Sequence, residues 1–276
     1  MEAHRGAAGY WPQNSRTAML GSIEAGYEGL EFDLVLTADD IPVLSHDAWL
    51  HETLCTTVDG APPDGRIFIE DLTLETLQDG YLCGGVPDPE NPDAEVKAET
   101  VMTFDELLEA LGDADPDLVV HIDIKYQPGS TPEPDIIAPA VLERWWNADL
   151  PQPWYASADR SELLLALRRV AEAADEPIVT SLIWPCFPPD GSDTLVALGA
   201  EALVMLGVED LEALAEDAEA DGIAIPWQIL DRRQVEAARK RGLMVQAWTL
   251  NEADLLAAYA AWPLDALITD YPERAP

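Results

Sequence analysis

Lysine is nearly missing from this 276-residue chain: only Lys97, Lys125 and Lys240 occur, and all basic residues together number 15 against 53 acidic ones. The resulting formal charge of −38 repels a phosphate backbone, which excludes nucleic acid as a partner. Such a surface also repels itself at low ionic strength and tolerates salt, which shortens the Debye length. Salt adaptation and a merely solvated acidic surface both accommodate it. No apolar run approaches the ~20 residues needed to cross a bilayer, so no stable membrane insertion is expected. The N-terminus lacks the basic, apolar and small-residue order of a secretory signal, and a cytoplasmic location is expected. Cysteine is scarce too. Cys55, Cys83 and Cys186 are odd in number and follow neither C-x-x-C nor His-paired spacing. This argues against a disulfide framework and a zinc site, and the three read as small core residues.

What is present is alternation. EGLEFDLVL (28–36) and IPVLSH (41–46), separated by the turn-forming TADD, predict a strand and its hairpin return. DLVVHIDIK (117–125) has the apolar, β-branched character of a strand buried on both faces. Further strands are expected at 154–157, 178–184, 221–227, 243–250 and 265–270. Helical patterns lie between them: SELLLALRRVAEAA, VEDLEALAEDAEA, DRRQVEAARKRG and NEADLLAAYAAW. Several begin with Ser, Asp or Asn as N-caps, and one closes with Arg, Lys and Gly. About eight β-then-α units predict a single-domain α/β fold, a (β/α)8 TIM barrel, with a ninth strand as a hairpin arm outside the ring. Residues 48–116 break the rhythm and read as an insertion emerging at the catalytic end, where it would cover a substrate site.

Charged residues interrupt these strands. Glu31 and Asp33, two apart, share one strand face. His121, Asp123 and Lys125 share a face of theirs. An ionised aspartate in a central strand costs several kcal/mol unless it is paired or metal-bound. If Glu31, Asp33 and Asp123 converge at one barrel mouth, their oxygens suit one divalent cation, Mg²⁺ or Ca²⁺; a local salt bridge to Lys125 is the rival explanation. His4 and His46 each end a strand, and two facing imidazoles can divide general-base and general-acid work near neutral pH. Arg5 has the fork to hold a phosphate.

Read together, HRG (4–6), PQNS (12–15), EFD (31–33), HD (46–47), DIK (123–125), WTLN (248–251) and TDYP (269–272) resemble the glycerophosphodiester phosphodiesterase family of TIM barrels. The family's order is H-R-G, P-E-N-T, E-x-D, H-D, E-x-K, W-T-x-N and T-D-x-P. The resemblance implies His4 and His46 as the acid/base pair and Glu31, Asp33 and Asp123 as metal ligands. It also implies Arg5 and Lys125 near the phosphate and Trp248 as an apolar wall beside the glycerol. Departures are Gln13 and Ser15 where the family prefers Glu and Thr, Asp123 for the Glu of E-x-K, and His51-Glu52 where an Arg often stands.

The implied reaction is metal-assisted hydrolysis of a small-molecule glycerophosphodiester to sn-glycerol 3-phosphate and an alcohol. The nucleophile is either water or the adjacent glycerol hydroxyl. Two other readings are a lysophospholipid phosphodiesterase, like the related sphingomyelinase D group with its disulfide-bearing catalytic loop, and a catalytically silent ligand-binding barrel.

Overall fold

A computed structural model describes residues 1–184 and 215–276. Eight parallel strands among these residues close a ring: β1 (Glu2–Ala3), β2 (Gly29–Leu36), β6 (Val119–Ile124), β7 (Trp154–Ala158), β8 (Thr180–Ile183), β9 (Gly222–Pro226), β10 (Met244–Trp248) and β11 (Ala266–Thr269). The order β1-β11-β10-β9-β8-β7-β6-β2 is shut by pairing of β2 with β1, so the expected TIM barrel is present. Two residues suffice for the first stave because both neighbours hold it: Glu2 and Ala3 pair with Ile268 and Thr269 on one side and with Gly29 and Leu30 on the other. The ninth strand, β3 (Pro42–Leu44), returns antiparallel along the outer end of β2 as a hairpin arm.

Helices α1 (Arg16–Ala25), α3 (Phe104–Leu111), α4 (Pro134–Ala148), α5 (Ser161–Ala174), α6 (Arg232–Lys240) and α7 (Ala253–Ala260) follow strands around the ring. The helical pattern that begins at Val208 lies largely outside the described residues, as does Cys186. Strand periodicity sorts the side chains. Phe32, Leu34, Val120, Ile122 and Ile124 face outward and are fully buried with Phe104, Leu107 and Val141 of the helices. Burying one such side chain contributes about 1.5–3 kcal/mol. The alternate positions face inward and are polar: Glu2, Glu31, Asp33, His121, Asp123, Ser157, Ser181 and Gln246 are all buried. Several pair with one another, as where Ser181 Oγ donates to Gln246 Oε1 at 2.7 Å and His121 lies between Glu2 and Ser157.

Two of the expected caps are otherwise employed. Asp231 does cap α6, its carboxylate accepting from Arg233 N and Gln234 N. Ser161, however, is the first residue inside α5, and Asn251 turns its amide to Asp270 instead of to α7. Between His46 and α3 the chain forms α2 (Leu74–Gly80) and a separate two-stranded sheet, β4 (Cys55–Thr57) with β5 (Tyr81–Cys83). Its antiparallel register sets Cys55 opposite Cys83, and the two form a disulfide. The expectation of unpaired core cysteines is wrong for this pair, because a hairpin inside the irregular segment joins residues 28 apart. No described helix is long and apolar enough to cross a membrane.

Candidate active site

The inward face of β2 meets that of β6 in register, Glu31 beside His121 and Asp33 beside Asp123. This pairing, with the two-residue period of each strand, brings three carboxylates to one end of the ring. One oxygen from each of Glu31, Asp33 and Asp123 lies within 4.8 Å of the others. Lys125, one residue beyond β6, reaches back over them, its Nζ 2.6 Å from Asp33 Oδ1 and 2.5 Å from Asp123 Oδ2. The carboxylate cluster and the local salt bridge, two readings of the same residues, are therefore both present.

Charge balance differs at each carboxylate. Burial pushes Glu31 well above the usual carboxylate range, and Asp33 and Asp123 add to this. Asp33 is equally buried, but Lys125, His46 and Arg5 together overcome burial and hold it well below that range. Burial also opposes the charge on Lys125, yet Asp123 and Asp33 keep its ammonium protonated far above the ordinary lysine value. Asp123 Oδ1 is buried with no hydrogen-bond partner, an orphaned acceptor of the kind a cation satisfies. Three buried carboxylates with one lone pair unclaimed form an all-oxygen donor set, which fits a hard divalent ion. The shorter Asp123 still closes this set.

The first loop enters the same mouth. Arg5, Gly6 and Ala7 all have positive φ, at 50°, 77° and 62°. A Cβ on Gly6 would stand 2.8 Å from Ala18 Cβ, so the sharp turn after His4 needs glycine there. The turn points Arg5 N at Glu31 Oε2, 2.6 Å away, and carries the guanidinium beside Asp33, with Nε 3.4 Å from Oδ2. Burial opposes the Arg5 charge, but Asp33 and Glu31 outweigh it and raise the pKa. Arg5 Nη1 donates to Gln13 Oε1 at 2.7 Å, and Gln13 Nε2 donates to Asp88 Oδ2 at 2.6 Å. This accounts for Gln13. An amide can accept from Arg5 and donate to Asp88, whereas a glutamate could only accept. Ser15 caps α1 through Ala18 N, and Asn14 Nδ2 donates to Asp33 Oδ2 at 2.7 Å.

The two histidines have different settings. His4 Nδ1 lies 2.7 Å from Asp270 Oδ1, and Asn251 Nδ2 donates to the other Asp270 oxygen at 2.7 Å. Burial would raise Asp270, but His4 and the Asn251 hydrogen bond bring it below the usual range. His46 follows β3, with Nδ1 2.9 Å from Asp47 Oδ1. Its side chain keeps 41% of its surface open to solvent, although protein surrounds it on the other sides. That enclosure lowers the His46 pKa, aided by Lys125 and Arg5 and opposed by Asp33 and the Asp47 hydrogen bond. His51 Nε2 is 3.8 Å from the second Asp47 oxygen. Trp248 ends β10, half-buried and outside the apolar clusters.

Chain order and geometry agree with a known pattern. The family model for the glycerophosphoryl diester phosphodiesterase family matches residues 4–274. The chain belongs to this family. Among curated family relatives, the Mycobacterium tuberculosis protein named "Probable glycerophosphodiester phosphodiesterase 2" is 26% identical over 271 residues, 97% of this chain and 86% of that one. A Silicibacter pomeroyi structure named "Putative glycerophosphoryl diester phosphodiesterase" has a TM-score of 0.80 at 23% identity, covering 99% of this chain and 90% of its own. An Oleispira antarctica phosphodiesterase, solved in complex with the product sn-glycerol-3-phosphate, has a TM-score of 0.71 at 22% identity, covering 99% and 93%. At these identities the two structures establish the shared barrel.

All eight residues singled out from the sequence thus have a definite place. Arg5, Glu31, Asp33, Asp123 and Lys125 form one charged cluster, with His46 close enough to feel Lys125 and Asp33. His4 precedes Arg5 on the first loop, and Trp248 stands at the end of β10. Sequence reasoning assigned no role to Asn14, Asp47 or Asp270 and read Asn251 as a helix cap; these residues hold Asp33, His46 and His4. Each stands inside a quoted motif, so the signal was present, but its meaning depends on contacts up to 266 residues apart.

Proposed function

We propose that the chain hydrolyses glycerophosphodiesters to sn-glycerol 3-phosphate and an alcohol, with the two histidines exchanging protons and a divalent cation held by Glu31, Asp33 and Asp123. The observation that carries this reading is the buried carboxylate trio flanked by two aspartate-held imidazoles. A divalent ion bound there supplies Lewis-acid stabilisation of charge on the phosphoryl oxygens.

The chain's own residues do the rest. Arg5 and Lys125 bring two permanent positive charges to the non-bridging oxygens. Asp270 fixes His4 through Nδ1, leaving Nε2 to take the proton of the attacking hydroxyl, from water or from the neighbouring glycerol carbon. As the new P–O bond forms and the bond to the alcohol breaks, His46 Nε2 gives its proton to the departing oxygen. Where the glycerol hydroxyl attacked, water then opens the cyclic phosphate, giving its proton to His46 while His4 returns its own to the glycerol oxygen. The base role falls to His4 because its aspartate is buried and doubly held. The acid role falls to His46 because it opens on the cleft beside the first loop.

Release of sn-glycerol 3-phosphate from glycerophosphocholine, measured with EDTA and after adding back Mg²⁺ or Ca²⁺, tests the reading. Turnover that EDTA abolishes and the ion restores is expected; turnover indifferent to EDTA removes the metal from it. The lysophospholipid reading gains one observation, because the Cys55–Cys83 bond braces the segment behind His46. Choline release from lysophosphatidylcholine at a rate matching glycerophosphocholine would favour it.

A further inference from the structure

A cleft of about 800 Å³, open mouth included, lies between the first loop and the disulfide-bearing segment. Asn14, bonded to Asp33, and His46, whose charge acts on Asp33, both line it, and these two side chains connect the cleft to the carboxylate cluster. Its floor and sides are apolar: Leu50, Leu54, Ile69, Val86 and Val101, together with both half-cystines. The charged residues that line it are Asp47, Asp88, Glu95 and Glu99, with the imidazoles of His46 and His51, and neither Lys nor Arg is among them. Glu99 is tied to Lys97 and Thr17, and Asp88 to Gln13, whereas the exposed Glu95 is the carboxylate available to a ligand.

We propose that this cleft is the subsite of the leaving alcohol and that it selects alcohols carrying an alkylated ammonium group over neutral polyols. The inference rests on the hydrolysis proposed above. Two features of the fold carry it. Trp248, on β10, lies on one side of β1, across β11, whereas the cleft lies on the other side, past β2 at the end of β3. A diester whose phosphate sits at the carboxylates therefore has two separate places for its substituents. The second feature is chemical. Apolar walls favour methyl groups over hydroxyls, and an acidic rim on which Glu99 already neutralises Lys97 attracts a cation. The hydrogen bonds from Leu54 N and Cys55 N to His51 O, together with the disulfide, hold the wall in place beside Asp47 and His46.

The test compares kcat/KM for glycerophosphocholine, glycerophosphoethanolamine and bis(glycero)phosphate in the wild type, Glu95→Lys and Leu54→Ser. The expected wild-type order is choline over ethanolamine over glycerol, spanning about tenfold or more. Glu95→Lys should raise KM for the choline substrate by roughly two- to fivefold, the range of an exposed charge pair, and leave the glycerol substrate within twofold. Leu54→Ser should narrow the span from the apolar side. Equal kcat/KM for all three substrates, or equal effects of Glu95→Lys on all, would overturn the assignment while leaving the hydrolysis standing. Turnover of none of the three would instead sink the hydrolysis itself, and this inference with it.

Discussion

His4 Nδ1 lies 2.7 Å from Asp270 Oδ1, joining the first loop of the barrel to the end of its last strand. In the proposed mechanism this bond fixes the ring's tautomer and orientation and leaves Nε2 for the reacting hydroxyl. Replacing Asp270 by Asn keeps the size and removes the charge that supports an imidazolium. The expected loss in kcat is roughly 10²- to 10⁴-fold, the usual span of positioned acid–base catalysis, with an unchanged circular dichroism spectrum. A change of less than threefold would remove Asp270 from the base.

His46 makes a prediction about pH. Its enclosure, with Lys125 and Arg5 nearby, lowers its pKa, while Asp33 and the Asp47 hydrogen bond raise it. A general acid must start protonated, so the alkaline limb of kcat/KM follows this group and should fall below the ordinary histidine value of about 6.5. Asp47→Asn removes a contribution that raises the pKa, so the limb should move further toward acid. A limb that stays fixed or moves toward alkali in Asp47→Asn would contradict the assignment.

The disulfide is counted directly. Of the three cysteines, only Cys186 should react when the unreduced protein is denatured and titrated with a thiol reagent, and all three should react after reduction. Reduction should also lower activity and the melting temperature, since closing a loop of this size contributes about 2–4 kcal/mol. Three reactive thiols before reduction would refute the bond. Disulfides persist in oxidising surroundings, so the pair bears on the expectation of a cytoplasmic location, which fractionation of the source cells would test.

The acidic surface offers a prediction free of the site. With a net charge of −38, raising KCl into the molar range should raise the melting temperature if self-repulsion limits stability. A flat response would mean that the charge is merely solvated.

Legibility in the sequence followed the range of the interaction. The strands of the ring could be read because burial on both faces leaves a local apolar signal, and Glu31 and Asp33 stood out because a period of two puts them on one face. The convergence of Asp33 with Asp123 could be expected but not fixed, since it depends on the register of strands 90 residues apart. The Cys55–Cys83 bond was missed because its hairpin arises in a segment with little periodicity, where spacing carries no information on pairing. Asn251 looked like a helix cap, and local chemistry allows that use; only the closed ring shows that Asp270 claims its amide. Gln13 looked like a departure until Asp88, 75 residues on, supplied the acceptor for its second half.

The central claim is that His4 and His46 carry separate proton transfers on one phosphate, bound beside Arg5, Lys125 and the carboxylate trio. The most direct measurement is single-turnover release of the alcohol from two diesters, one with an ordinary alkoxide and one with a p-nitrophenolate leaving group, by wild type, His4→Ala and His46→Ala. His46→Ala should lose at least ~10²-fold on the ordinary diester and recover most of that on p-nitrophenolate, which leaves without a proton, whereas His4→Ala should be slow on both. Equal losses on both substrates in both variants, or full activity in either variant, would contradict the account.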